Sequence, residues 1–171
     1  MDELAEREFR SFVAARQAAL FRVALLLTGH REDAEDLLQT SLTKLALNWS
    51  RLASLGSADA YVRKILYHQQ VGRWRARGPR YELVTADPPE ARTVGDPAGD
   101  TTLRLALGRV LGQLTHRQRA VVVLRYYEDL PELEVAQILG CSVGTVRSQT
   151  HRTLARLREL CPELTSIRET A

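Results

Sequence analysis

The chain has 171 residues, of which 44% are apolar and 26% charged, with a formal net charge of +3. Such a composition excludes wholesale disorder and allows one ordinary domain or two small ones of roughly 70 residues each, while the charge is too small by itself to assign a nucleic-acid partner. The longest apolar run, Leu20 to Leu27, is broken by Arg22 and falls short of the ~20 residues a membrane span needs, and the acidic opening MDELAEREFR is unlike an export signal, so a cytoplasmic chain that is not a membrane protein is expected.

Helical spacing recurs along the sequence, and no alternation runs long enough to anchor a sheet, which predicts an all-α fold. Phe9, Phe12, Val13, Leu20, Val23, Ala24 and Leu27 repeat at three and four, and Gly29 supplies a C-terminal stop. A second helix is expected from about Glu32, because Glu32, Asp33, Glu35 and Asp36 suit a helix N-terminus and Ala34, Leu37, Leu38, Leu42 and Leu45 form an apolar stripe. A third runs from about Ser57 to Arg77, where Gly78-Pro79 breaks it.

The stretch 78–100 holds four prolines and no helical period and reads as a flexible linker between domains at 1–77 and 101–171. Five acids lie there against two arginines, whereas residues 142–158 hold Arg147, Arg152, Arg156 and Arg158 with no acid. The second half opens with the stripe Leu103, Leu107, Val110, Leu111 and Leu114. Thr115 and Gln118 then make a capping box before Val121, Val122 and Leu124. A short helix over Glu132 to Leu139 and a long one from Ser142 to about Leu160 complete a four-helix unit.

Two chemistries can be read from GCSVG at 140–144. As G-x-S-x-G it would raise Ser142 as a hydrolytic nucleophile, but that elbow requires a buried strand before the serine, and PELEVAQILG is spaced as a helix. As the turn of a helix-turn-helix, it makes Gly140 the exit of one helix and Ser142 the cap of the next. On that next helix Val143, Val146, Thr150, Leu154 and Leu157 share an apolar stripe. Arg147, Ser148, His151 and Arg152 face roughly 130° away, as the major-groove residues of a recognition helix would. The 22 arginines against 2 lysines suit bidentate phosphate and guanine contacts, although a GC-rich genome produces the same skew. Cys141 and Cys161 form neither a disulfide framework nor a metal-ligand spacing, and neither cofactor nor metal is expected.

The stretch LTHRQRAVVVLRYYEDLPELEVAQILGCSVGTVRSQTHRTLARLREL resembles region four of bacterial RNA polymerase sigma factors of the extracytoplasmic-function group. LFRVALLLTGHREDAEDLLQTSLTKLALNW, continuing to AYVRKILYHQQVGRWR, resembles region two. The resemblance implies two helical domains, no catalytic activity, and three kinds of partner: the clamp and flap of core RNA polymerase, promoter DNA and, as in many relatives, an anti-sigma protein. It implies clamp docking by Asp33, Asp36, Leu37, Gln39 and Leu42. It assigns recognition and melting of the downstream (-10) element to the third helix, through Tyr61, Arg63, Lys64, His68, Arg73, Trp74, Arg75 and Arg77, with Tyr67 as a further stacking surface. It assigns the upstream (-35) element to Arg147, Ser148, His151 and Arg152, with Thr145 near a phosphate. The chain departs from the family pattern at His68 and Gly72, where Asn and Asp are common, at Thr40, and at Pro131, where a capping Ser is usual. An ordinary helix-turn-helix regulator is the alternative reading, but neither a dimerisation seam nor a ligand domain accompanies the motif.

Overall fold

The computed structural model describes residues 2–53, 56–77 and 108–161. Among them every regular element is helical, and the chain divides into two compact units, Met1–Ala76 and Arg77–Ala171. The linker stretch 78–100 and the residues Leu103 and Leu107 lie outside the described residues.

In the first unit, α1 spans Glu3–Thr28, α2 Arg31–Leu47, α3 Trp49–Ala53 and α4 Ala58–Arg77. Asp2 caps α1 by accepting the Ala5 amide at 2.8 Å, and Gly29 closes it at φ 81, a left-handed conformation that only glycine adopts without strain. By length and composition α1 could cross a membrane. It is a core helix of the first unit, however, with Leu20, Val23, Ala24 and Leu27 buried where it packs on α2. Burial of Ala34, Leu37, Leu38 and Leu45 from α2 and Val62, Leu66 and Val71 from α4 completes this core. The short helix α3, which the sequence pattern does not reveal, brings Trp49 against Phe9 and Phe12 at centroid distances of 5.2 and 5.3 Å. Such aromatic contacts add about 0.5–1.5 kcal/mol beyond burial. Two long side chains of α4 stitch the unit: Gln70 donates to the Leu27 carbonyl at 3.3 Å, and Arg73 donates to the Asp33 carbonyl at 3.4 Å.

In the second unit, residues 108–112 are helical (α5), α6 spans His116–Val122, α7 Glu132–Leu139 and α8 Val143–Leu160. Both hydrogen bonds of the expected capping box at Thr115 and Gln118 are present. Helix α6 continues as a π-helical turn over Val123–Tyr127, in which the Glu128 amide reaches the Val123 carbonyl at 2.9 Å. Val121, Val123 and Leu124 are buried and Val122 is half-buried, so Val123 takes the place expected of Val122, at ordinary helical spacing from the buried His116, Arg119 and Ala120. Arg119 is 1% exposed and donates through Nε and Nη2 to the Leu111 carbonyl at 3.1 and 2.9 Å, tying α6 to the end of α5.

Candidate nucleic-acid interface

The helix-turn-helix is built from α7, its turn and α8. Pro131 precedes α7 without a side-chain cap, and the helix still starts at Glu132, since a proline's missing amide costs nothing there. Gly140 ends α7 at φ 58, and the Cys141 amide returns to the Ala136 carbonyl at 3.0 Å. Ser142 Oγ accepts the Thr145 amide at 3.1 Å and lies 2.9 Å from the Thr145 hydroxyl. Its position between two helices, with no strand before it, is that of a cap and not of a nucleophile elbow. Ser142→Ala should therefore lower stability by about 1 kcal/mol in urea unfolding; a change within error would mean that water replaces the cap.

Helix α8 packs on α6 and α7 through Val146 and Thr153, two turns apart and both fully buried. The remainder of the expected apolar stripe, Val143, Thr150, Leu154 and Leu157, is half-buried. Of the residues assigned to DNA, Arg147, Ser148, His151 and Arg152 are exposed together on α8, and Thr145 is half-buried in its first turn. Ser148 Oγ donates to the Thr145 carbonyl at 3.0 Å. Arg147 Nε donates to Glu132 Oε2 of α7 at 2.8 Å, a cross-helix partner that a scan of one helix at a time cannot find.

In the first unit, α4 presents Tyr61, Lys64 and His68 to an open cavity of about 470 Å³ that α2 completes with Lys44 and Asn48. Lys44 and Asn48 are absent from the sequence assignment, although a signal existed: Lys44 and Lys64 are the chain's only two lysines, and folding brings them to one cavity. Two flexible ammonium groups there can hold phosphates while Tyr61 and His68 offer ring faces. Burial, and then the charges of Lys64 and Arg75, hold the His68 pKa below the ordinary histidine value. A lowered imidazole pKa leaves the unfolded chain to take up this proton first, so its contribution to stability is complete above about 6.5 and is lost as the pH falls through that value. Unfolding in urea, followed by tryptophan fluorescence, should show a smaller drop between pH 7 and pH 5 for His68→Gln than for the parent chain; an unchanged drop would assign the effect to other groups.

The other assigned residues divide. Arg75 and Arg77 are exposed and Trp74 is half-buried. Arg63 is held by Asp59 at 2.8 Å, and Arg73 is turned onto α2, with Asp36 at 4.0 Å beside the Asp33 carbonyl. Tyr67, at 4% exposure, belongs to the core and is not a stacking surface. Leu37 is likewise corrected: at 0% exposure its side chain fills the core between helices and offers nothing to a docking partner. Asp36 and Gln39 are exposed on α2, and Asp33 and Leu42 are half-buried. Leu47, at 81% exposure, is an apolar surface residue at the end of the stretch Asp33 to Leu47 to which the resemblance assigns docking. In the second unit Tyr126, Tyr127 and Leu133 are exposed apolar residues. Among the described residues no cluster of His, Cys, Asp or Glu has the form of a metal site.

Comparison with known proteins bears on these surfaces. Residues 104–157 match the family model described as Sigma-70, region 4. The chain is 42% identical over 152 residues to an RNA polymerase sigma-E factor of Streptomyces avermitilis, covering 89% of this chain and 84% of that one. It is 29% identical over 162 residues to the ECF RNA polymerase sigma factor SigL of Mycobacterium tuberculosis, covering 91% and 89% of the two chains. Among solved structures, the sigma factor RpoE of Bartonella quintana, in complex with the anti-sigma factor NepR, superposes with a TM-score of 0.65 at 26% identity, over 91% of this chain and 98% of that one.

Proposed function

The chain belongs to the RNA polymerase sigma factors, in their extracytoplasmic-function group, and on that premise we propose how its two units divide the work of directing core polymerase to promoters and starting transcription. The second unit reads the upstream element. The observation that carries this reading is the capped helix α8, whose buried Val146 and Thr153 turn Arg147, Ser148, His151 and Arg152 outward as a group. Thr145 lies at the helix start, where the backbone amides suit a phosphate.

The first unit docks on the clamp through the exposed side of α2, with Asp33, Asp36, Gln39, Leu42 and Leu47, and takes the downstream element on α4. Lys44 and Lys64 hold its phosphates, Tyr61, His68 and Trp74 receive unstacked bases, and Arg75 and Arg77 add charge. Tyr126, Tyr127 and Leu133 are the apolar surface that the second unit offers the polymerase flap. Domain limits of 1–77 and 101–171, with 78–100 as tether, go with this division. The two readers bind weakly alone, and the polymerase fixes their separation so that both engage together.

The protein works in the cytoplasm, and it supplies recognition, leaving catalysis to the polymerase. As the Bartonella quintana relative is solved with an anti-sigma factor, a protein inhibitor of the same kind is proposed for this chain. Run-off transcription tests the assignment. Core polymerase should initiate at discrete starts only with the chain added, and the chain alone should show little sequence preference for duplex DNA. Tight, specific binding by the chain alone, without initiation, would identify an ordinary regulator instead.

A further inference from the structure

A carboxylate at a DNA-reading surface repels phosphate and lowers affinity for every duplex, so Glu132 at the side of the recognition helix calls for a physical account. Its partner is Arg147, 15 residues on, and the pair joins the supporting helix α7 to α8. Glu132 is the less mobile member: it sits in the first turn of α7 with its side chain 32% exposed, against 70% for Arg147. The bond runs from Nε to Oε2 at 2.8 Å. An arginine can fork a guanine edge side-on, through Nε and one terminal nitrogen, or end-on, through both terminal nitrogens. With Nε given to Glu132, only the end-on fork remains, and the stem that carries it is restrained before DNA arrives.

Resting on the reading of α8 as the upstream-element helix, we infer that Glu132 is a specificity-determining positioning residue, which holds Arg147 by its Nε so that both terminal nitrogens present an end-on fork to a guanine. It gives up general affinity for discrimination at one base pair. The ordering of a long side chain, which otherwise opposes each base contact, is already done in the free protein.

The test uses the full chain with core polymerase and fluorescent promoter duplexes differing by one base pair in the upstream element. Arg147→Ala first identifies the base pair at which discrimination is lost. Glu132→Ala should lower discrimination at that same base pair by about threefold to tenfold, a share of the total a bidentate contact supplies. It should leave the base pair read through Arg152 untouched, and add nothing in the Arg147→Ala background. Glu132→Gln, which keeps an acceptor for Nε, should restore part of the preference and guards against a folding defect at the start of α7. Glu134→Gln removes a charge from the same turn without touching Arg147, and should change affinity for all duplexes alike. If Glu132→Ala behaves like Glu134→Gln, with higher affinity for every duplex and an intact ratio, Glu132 is only a repulsive charge and the inference is overturned. If Arg147→Ala changes no single base pair, the assignment of Arg147 fails first and the inference with it.

Discussion

Replacing Arg119 with alanine is expected to destabilise the second unit by about 3–5 kcal/mol, combining the cavity left by a large buried side chain with the loss of a charge-assisted fork. The residue is 1% exposed, and its Nε and Nη2 converge on the Leu111 carbonyl at the end of α5. That carbonyl belongs to the last turn of α5 and also accepts the Leu114 amide at 3.2 Å, so the arginine adds a charge-assisted clasp from the neighbouring helix to a carbonyl that the chain itself already reaches. A unit of this size has little stability to spare, and a loss of this magnitude leaves much of it unfolded. Arg119→Met, which keeps most of the stem volume, should cost less, about 1.5–3 kcal/mol for the lost charge-assisted hydrogen bonds. Trp49 and Trp74 both lie in the first unit, so tryptophan fluorescence follows that unit while far-UV circular dichroism follows both. The substitution should lower the dichroism midpoint and leave the fluorescence midpoint in place. A loss below about 1 kcal/mol for alanine would mean that the Leu114 amide closes the helix end without help from the guanidinium.

The second large effect falls on recognition. With core polymerase present, Arg147→Ala or Arg152→Ala should each lower discrimination at one base pair of the upstream element by about 1–3 kcal/mol, roughly fivefold to 150-fold. Lys64→Ala should behave differently. Its exposed ammonium lines the cavity of the first unit, where a phosphate is the expected contact, so binding should weaken for all sequences alike and the salt dependence should fall by about one counterion. Titration of promoter variants at several salt concentrations separates the two behaviours. A uniform loss from Arg147→Ala would move that residue from base reading to phosphate binding.

Much of this architecture was legible before folding because it rests on local rules. The capping box at Thr115, the serine cap at Ser142 and the left-handed exits at Gly29 and Gly140 each depend on residues within a few positions of one another. Sequence spacing alone therefore reports them. The outward group on α8 was legible for the same reason, since residues at helical spacing share a face wherever the helix sits. Four features escaped for reasons that are equally physical. Helix α3 spans only five residues, too few to display a period. The π turn after α6 changes the hydrogen-bond step over five residues, which apolar spacing does not report. Lys44 and Lys64 lie on different helices and meet only in three dimensions. The partner of Arg147 stands 15 residues away, on another helix.

The sequence by itself determined the helical class, most helix limits and the turn that makes α8 a presented helix, since backbone geometry and capping are decided within a turn or two of chain. Only the tertiary structure decided which side chains the packed faces consume. Leu37 and Tyr67 match a family's functional stretch in sequence but are buried, while Arg119, an unremarkable basic letter, became the buried clasp of the second unit. Periodicity states which residues share a face; burial depends on which neighbouring helix covers that face, and that is settled by packing among segments far apart in the chain.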